Sequence, residues 1–332
     1  MRTKSSNSGN DCRKRVNHST FLLGVVVFLG CCLPVSAMAQ SPVVGSGGVT
    51  TGHATITQSG NATNVNQTTQ AASINWQSFS IGSSSVVNFN QPNSSSVTLN
   101  RVVGNETSII EGALNANGHV FLLNGNGILM TKGSSVNTAG FVASTLDISD
   151  DDFRKGNYVF KADGSPGSVV NQGTITATAG GYVALLGSRV SNQGVIVATK
   201  GTVAMAAGDQ VTLNFNGNSL VGVTVDEGAL NALVENKQAI FADGGKVILT
   251  AKAADDLLTA QVNDSGVIQA QTVGDLKGDI QLFADGGTVK VSGTLDASAP
   301  NSGDGGYIET SGNSSLADGL TPPTCSMPTW RS

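Results

Sequence analysis

Short phrases in this chain return at a near-constant interval, and that limits its fold more than any other feature. Asn171-Gln172-Gly173-Thr174-Ile175 returns as Asn192-Gln193-Gly194-Val195-Ile196, 21 residues on. Gly181-Tyr182-Val183-Ala184 returns as Gly201-Thr202-Val203-Ala204 after 20 residues. Phe241-Ala242-Asp243-Gly244-Gly245 returns as Phe283-Ala284-Asp285-Gly286-Gly287 after 42, which reads as two periods. A period near 21, with Gly and Asn turns between short Val/Ile runs, signals a parallel β-helix. One such coil cannot bury its apolar side alone; stacked coils set like over like and close a continuous core. The expected fold is therefore all-β. It is a right-handed single-stranded parallel β-helix over residues 86–312, with an N-terminal β cap at 49–80 and small excursions from the coil. Val183 is expected to stack on Val203 and Leu185 on Met205, all pointing inward.

Charged residues make up only 12% of the chain and Gly 42 of its 332 residues, whereas ordinary globular domains carry about 25% charge. That composition suits either disorder or a polar-faced solenoid, and the register of the repeats decides for the solenoid. Turn Asn and Ser can then hydrogen-bond from coil to coil. With residues 1–39 set aside, thirteen basic and twenty-two acidic residues remain, a balance of −9. Such a balance argues against a nucleic-acid partner and against an amphipathic membrane anchor.

Residues 1–39 read as a secretory signal peptide, recognised by the general secretory translocon. Arg2, Lys4, Arg13, Lys14 and Arg15 form its positive region, residues 21–33 its apolar run, and Ala37-Met38-Ala39 a cleavage signal before Gln40. The run is short for a transmembrane helix, which needs about 20 residues. The rival is a lipoprotein signal at Cys31 or Cys32, for which Leu29-Gly30 is a poor lead. Cys12, Cys31 and Cys32 leave with this leader and only Cys325 remains, so no internal disulfide is expected.

The segment 72–147 is dense in Asn, Ser and Gly. It carries five phrases in order: INWQSFSIG at 74–82, FNQP at 89–92, LNRV at 99–102, LNANGHVFLLN at 114–124 and ASTLD at 143–147. In these phrases the chain resembles the N-terminal secretion domain of filamentous-haemagglutinin-like exoproteins, the secreted halves of two-partner secretion systems. The likeness runs from about 44 to 312. It implies export through a partner outer-membrane transporter bearing POTRA domains, from the periplasm to the surface of a Gram-negative bacterium. It also implies a transporter-recognition or turn motif at Asn105, Asn115, Asn117, Asn124, Asn126, Gly127 and Ile128. Two family prolines are missing: Gly125 and Glu106 stand in their places. A lost Pro frees φ and restores an N–H, so these turns are looser in the unfolded chain.

One structural domain, 40–312, is expected after the signal peptide. Residues 40–48 show little pattern. Residues 146–164 interrupt the repeat, with a short helix at Asp150-Asp151-Asp152-Phe153 capped by Ser149. Residues 227–238 have Leu230, Leu233 and Val234 near helical spacing and read as a second excursion; residues 255–258 read as a third. Residues 313–332 read as an irregular tail, truncated or frame-altered, or else as a short natural cap. No cofactor or metal site is expected: His53 and His119 are isolated, and His119 reads as a turn or surface residue beside Asn115-Ala116-Asn117-Gly118. Asp150–152, Asp255-Asp256 and Asp243/Asp285 read as solvated loops and repeated turns rather than the paired acids of a glycan-cleaving enzyme. The Asp spacing of a calcium loop is absent. The expected function is a non-enzymatic haemagglutinin- or adhesin-type exoprotein whose first domain directs export and nucleates the β-helix. Alternatives are a free-standing adhesin binding a host-surface glycan or protein, and a polysaccharide-cleaving β-helix.

Overall fold

The computed structural model describes residues 40–255, 259–317 and 330–331. The expected signal peptide with Ala37 and Ala39 lies outside the described residues, as do most of the third expected excursion and much of the expected tail.

The described chain is a parallel β-helix with three faces. Face one stacks Ala62–Gln67, Val86–Asn90, Ala113–Ala116, the starts of Ser135–Ser144 and Thr174–Gly187, then Val195–Val197, Ala239–Phe241, Val267–Gln269 and Thr294–Asp296. Face two stacks Ala71–Ser78, Val97–Val102, His119–Leu123, the ends of Ser135–Ser144 and Thr174–Gly187, then Thr202–Ala207, Lys246–Lys252 and the starts of Asp279–Val291 and Tyr307–Ala317. Face three stacks Ser108–Ile110, Ile128–Met130, Val169–Asn171, Arg189–Asn192, Leu233–Asn236, Ala260–Asp264 and the ends of the last two long strands.

Inward positions repeat because the side-chain period of a strand is two. Val183 pairs with Val203 and Leu185 with Met205, and all four are fully buried, as the 20-residue echo requires. Each such aliphatic contributes roughly 1.5–3 kcal/mol of burial. The corners need glycine where coils touch. Gly181, Gly201 and Gly245 lie one above another, and a Cβ on either upper one would strike the carbonyl below.

The cap is antiparallel. Val43–Thr51 pairs with Ala71–Ser78, and Ala54–Ser59 pairs with Ala62–Gln67. Parallel stacking thus begins at Ala62, not at residue 86, and the cap starts within the segment expected to be patternless. At the other end Tyr307–Ala317 carries the coil past residue 312.

Three further expectations are corrected. Residues 233–236 form a coil strand rather than part of a helical excursion, because Leu233 and Val234 continue face three above Arg189 and Val190. The 42-residue echo is not a register. Phe241 lies on face one opposite Gln269, whereas Phe283 lies on face two opposite Thr250; Asp-Gly-Gly serves two different corners. Asn115 and Ala116 belong to a strand, and the bend follows at Asn117-Gly118.

Among the described residues, two excursions with strands of their own leave the coil, both between faces two and three. The first holds the helix Asp150–Lys155, with Ser149 as its cap accepting from the Asp152 N–H, and the strand Val159–Lys161. The second, not expected, is the hairpin Gln210–Asn216/Ser219–Glu227. Together they form a three-stranded antiparallel sheet that lies over the outer side of face two. There Phe153, Phe160, Val211, Leu213 and Leu220 bury Leu99, Phe121, Val142, Ala184 and Ala204 in a second apolar layer.

Candidate functional site

Where the first excursion leaves the coil, a cleft of about 580 Å³ opens. It is lined by Gln77, Arg101, Asn105, Asn124, Asn126 and Asp163, among others. Its floor is the turn 124–127 stacked on the loop 104–108 of the previous coil.

Asn-Gly pairs suit such a turn because glycine tolerates positive φ, and Gly127 sits at φ 108°. The Gly127 N–H donates to the Asn124 carbonyl at 3.0 Å. The Asn124 side chain is 1% exposed. Its Nδ2 donates to the Glu106 carbonyl and to Ser108 Oγ, both at 2.9 Å, and its Oδ1 accepts from the Asn126 N–H at 2.9 Å. Asn126 Nδ2 donates to the Gly104 carbonyl at 3.0 Å, and Thr107 Oγ1 donates back to the Asn126 carbonyl at 2.9 Å. These amides bolt one coil to the one before it. Without them several backbone carbonyls would lack donors.

The other motif residues divide between structure and surface. Asn117 pairs with Gln91 by two bonds, Nδ2 to the carbonyl at 2.8 Å and Oδ1 from the N–H at 2.7 Å, in the manner of a strand neighbour. Asn115 belongs to an outward amide ladder, Asn64, Asn88, Asn115, Asn137, linked at 3.0–3.2 Å. Ile128 is core. Asn105 is exposed at the cleft rim. The structure thus brings Asn105, Asn124, Asn126 and Gly127 together and leaves Asn115 and Asn117 on a different edge.

Three polar residues in the matching phrases were missed: Arg101 is half-buried, Asn100 and Gln91 are buried. Arg101 Nε and Nη1 meet Asp147 and Asp150, each at 2.8 Å, and Nη2 donates to the Ile148 carbonyl. Burial opposes its charge, and the two carboxylates outweigh that, so its pKa is raised. Arg101 pins the excursion to face two. Asn100 accepts the Trp76 indole N–H at 3.0 Å inside the core. Gln91 Nε2 donates to Thr98 Oγ1 and the His119 carbonyl, both at 3.0 Å. The readable signal was their setting: polar residues inside strand-like runs need fixed partners.

His119 is buried, not a surface residue. Its Nδ1 lies 2.9 Å from the Tyr182 hydroxyl, whose ring crosses Gly140 on the intervening coil. Burial lowers the imidazole pKa to about 4. Among the described carboxylates weighed for catalysis, several have fixed partners. Asp150 and Asp151 are ion-paired, and Asp243 accepts from Gln269 Nε2 and the Gln271 N–H.

The family model of the TPS secretion domain matches residues 42–297. The chain belongs to that family. This TPS secretion domain is 36% identical over 245 residues to a heme/hemopexin-binding protein of Haemophilus influenzae, covering 71% of this chain and 27% of that protein. A second heme/hemopexin-binding protein from that species is 33% identical over 242 residues, covering 67% and 26%. The chain thus spans about a quarter of the length of these curated relatives. Among solved structures, the HMW1 secretion domain from Haemophilus influenzae superposes with a TM-score of 0.58 at 26% identity, covering 82% of this chain and 96% of that one. The chain is the N-terminal secretion domain of a two-partner secretion exoprotein, and its β-helix is that of its structural relatives.

Proposed function

We propose that this domain directs its chain from the periplasm through a partner outer-membrane transporter, whose POTRA domains read the 105–128 motif before the domain folds. The burial of Asn124 carries the reading. Its amide is 1% exposed and fully partnered in the folded coil, so a partner can read it only in the unfolded chain. Folding then removes the signal and resists back-sliding, since each new coil templates on the last. Strand addition to a POTRA edge suits an unfolded, Asn-rich stretch. The domain acts as a non-catalytic export and folding unit. Heme or hemopexin binding is what the longer curated relatives are named for.

Export into the medium, beside thermal melting of refolded protein, tests this. Asn105→Ala, exposed at the cleft rim, is expected to cut export several-fold with an unchanged Tm. Asn124→Ala with Asn126→Ala is expected to cut export further and also to cost about 2–4 kcal/mol of stability, at about 1–2 kcal/mol per lost buried bond set. Normal export of Asn105→Ala, with the double variant's export loss matched by its melting loss, would make the motif purely structural.

A further inference from the structure

A second amide ladder runs inside the solenoid, at the corner where face three turns into face one. Asn171 Nδ2 donates to Asn192 Oδ1 at 2.8 Å, Asn192 Nδ2 to Asn236 Oδ1 at 2.8 Å, and Asn236 Nδ2 to Asp264 Oδ1 at 2.7 Å. The three asparagines are fully buried and Asp264 is 1% exposed. Asn192 and Asn236 make one more bond each. Their Nδ2 groups also donate to the carbonyl that opens the next face-one strand, Ala239 at 3.2 Å and Val267 at 3.4 Å.

Asp264 breaks the pattern. It holds the fourth rung, yet an oxygen stands where the lower rungs carry an amide nitrogen. That oxygen, Oδ2, is buried and has no hydrogen-bond partner. The register gives the carbonyl at the equivalent place in the next coil. Val267 pairs with Thr294, so the carbonyl equivalent to those of Ala239 and Val267 is that of Thr294. A carboxylate cannot donate to a carbonyl, but a carboxylic acid has one O–H that can.

We propose that Asp264 is a proton-dependent latch: as the neutral acid it donates from Oδ2 to the Thr294 carbonyl and fastens the last coil, and as the carboxylate it releases it. The groups that reach Asp264 are the Asn236 amide and the Gly266 N–H. Glu235, Lys290 and Asp296 lie on the adjoining strands, but their neighbours Val234, Val289, Val291 and Leu295 are the inward ones, so these charges point outward. Burial pushes the carboxyl up to about 6, and the two hydrogen bonds offset that only in part. A raised folded pKa means that the stabilisation is complete below the unfolded value near 4 and is lost as pH rises through about 6. The last coils are held in acid and loosened at neutral pH.

Amide exchange on the secreted protein tests the latch, with segment 183–187 as the internal reference. In the wild type, protection at 267–269 and 294–296 is expected to fall roughly tenfold relative to the reference between pH 5 and 8, at about tenfold per pK unit below the folded value. Asp264→Asn restores the amide of the lower rungs and is expected to hold protection level across that range. A carboxyl ¹³C titration of wild-type Asp264 is expected to show a midpoint near 6, and needs no variant to fold. An Asp264→Asn protein with the wild-type pH slope, or a midpoint near 4, would overturn the proposal.

Discussion

One row of outward positions on face two runs the length of the solenoid and changes character along the way. In register it reads Leu99, Phe121, Val142, Ala184, Ala204, Ile248, Gln281, Glu309. The first six are buried beneath or beside the excursion sheet, and the last two are half-buried polar residues on bare coils. The inner core does not change in the same way: Val183, Val203, Val247, Ile280 and Ile308 are all buried. Coil formation therefore needs only the inner row. The outer row records whether something covers the coil, and in the earlier coils that cover is a sheet built from two insertions.

The strongest way to break this comparison is to remove the largest side chain of the covered row. Phe121 contacts Phe153, Tyr158 and Phe160, with ring centroids 5.6–6.2 Å apart. Phe121→Ala is expected to cost about 3–5 kcal/mol. Gln281→Ala, at the same position of a bare coil, is expected to stay within about 0.5 kcal/mol of wild type. Denaturant melts of the two variants decide it; equal losses would mean that the sheet adds no packing energy.

Acid sharpens the contrast. His119 sits under the cover with its pKa lowered by burial from 6.5 to about 4. The neutral imidazole is favoured by folding, so its stabilisation is full above pH 6.5 and lost as pH falls through about 4, at most about 3 kcal/mol. His119→Asn keeps an acceptor for the Tyr182 hydroxyl and is expected to flatten the acid limb of a Tm–pH profile. The covered coils thus weaken in acid and the Asp264 coils as acid is withdrawn.

The smallest expected effect lies at a corner. Gly180, Lys200 and Gly244 occupy equivalent turns before Gly181, Gly201 and Gly245, and all three have positive φ, 79°, 57° and 67°. Lysine alone bears a Cβ there. Lys200→Gly is expected to gain a few tenths of a kcal/mol, because relief of left-handed strain slightly exceeds the added chain entropy. A lower Tm would show that the Lys200 stem packs against Gly244.

Part of the cover was legible in the sequence. Thr202–Ala207 is buried at every position, and an unbroken apolar strand signals burial on both sides. Asp279–Val291 instead alternates, as a one-sided strand should. The hairpin had its sign as well: Val211 and Leu213 alternate ahead of Asn216-Gly217, with Gly217 at φ 60°. Neither sign names a partner. The Phe-Ala-Asp-Gly-Gly echo misled for the same reason, since a turn sequence specifies a corner's shape and not which corner it is. The recognition motif was legible as a set of residues, yet nothing local told Asn124, which is buried, from Asn105, which is exposed.

Period, strand alternation and turn chemistry are local, so the sequence by itself determined that this chain coils, which residues face the core and where the short helix begins. Pairing of Val159–Lys161 with Gln210–Asn216 is not local. It joins segments some fifty residues apart, and its free energy exists only after both have docked on face two. Only the tertiary structure decided the covering sheet, the burial of His119 beneath Tyr182 and the orphaned oxygen of Asp264. Each depends on which coil stacks above which, and that register is set by packing rather than by any single segment.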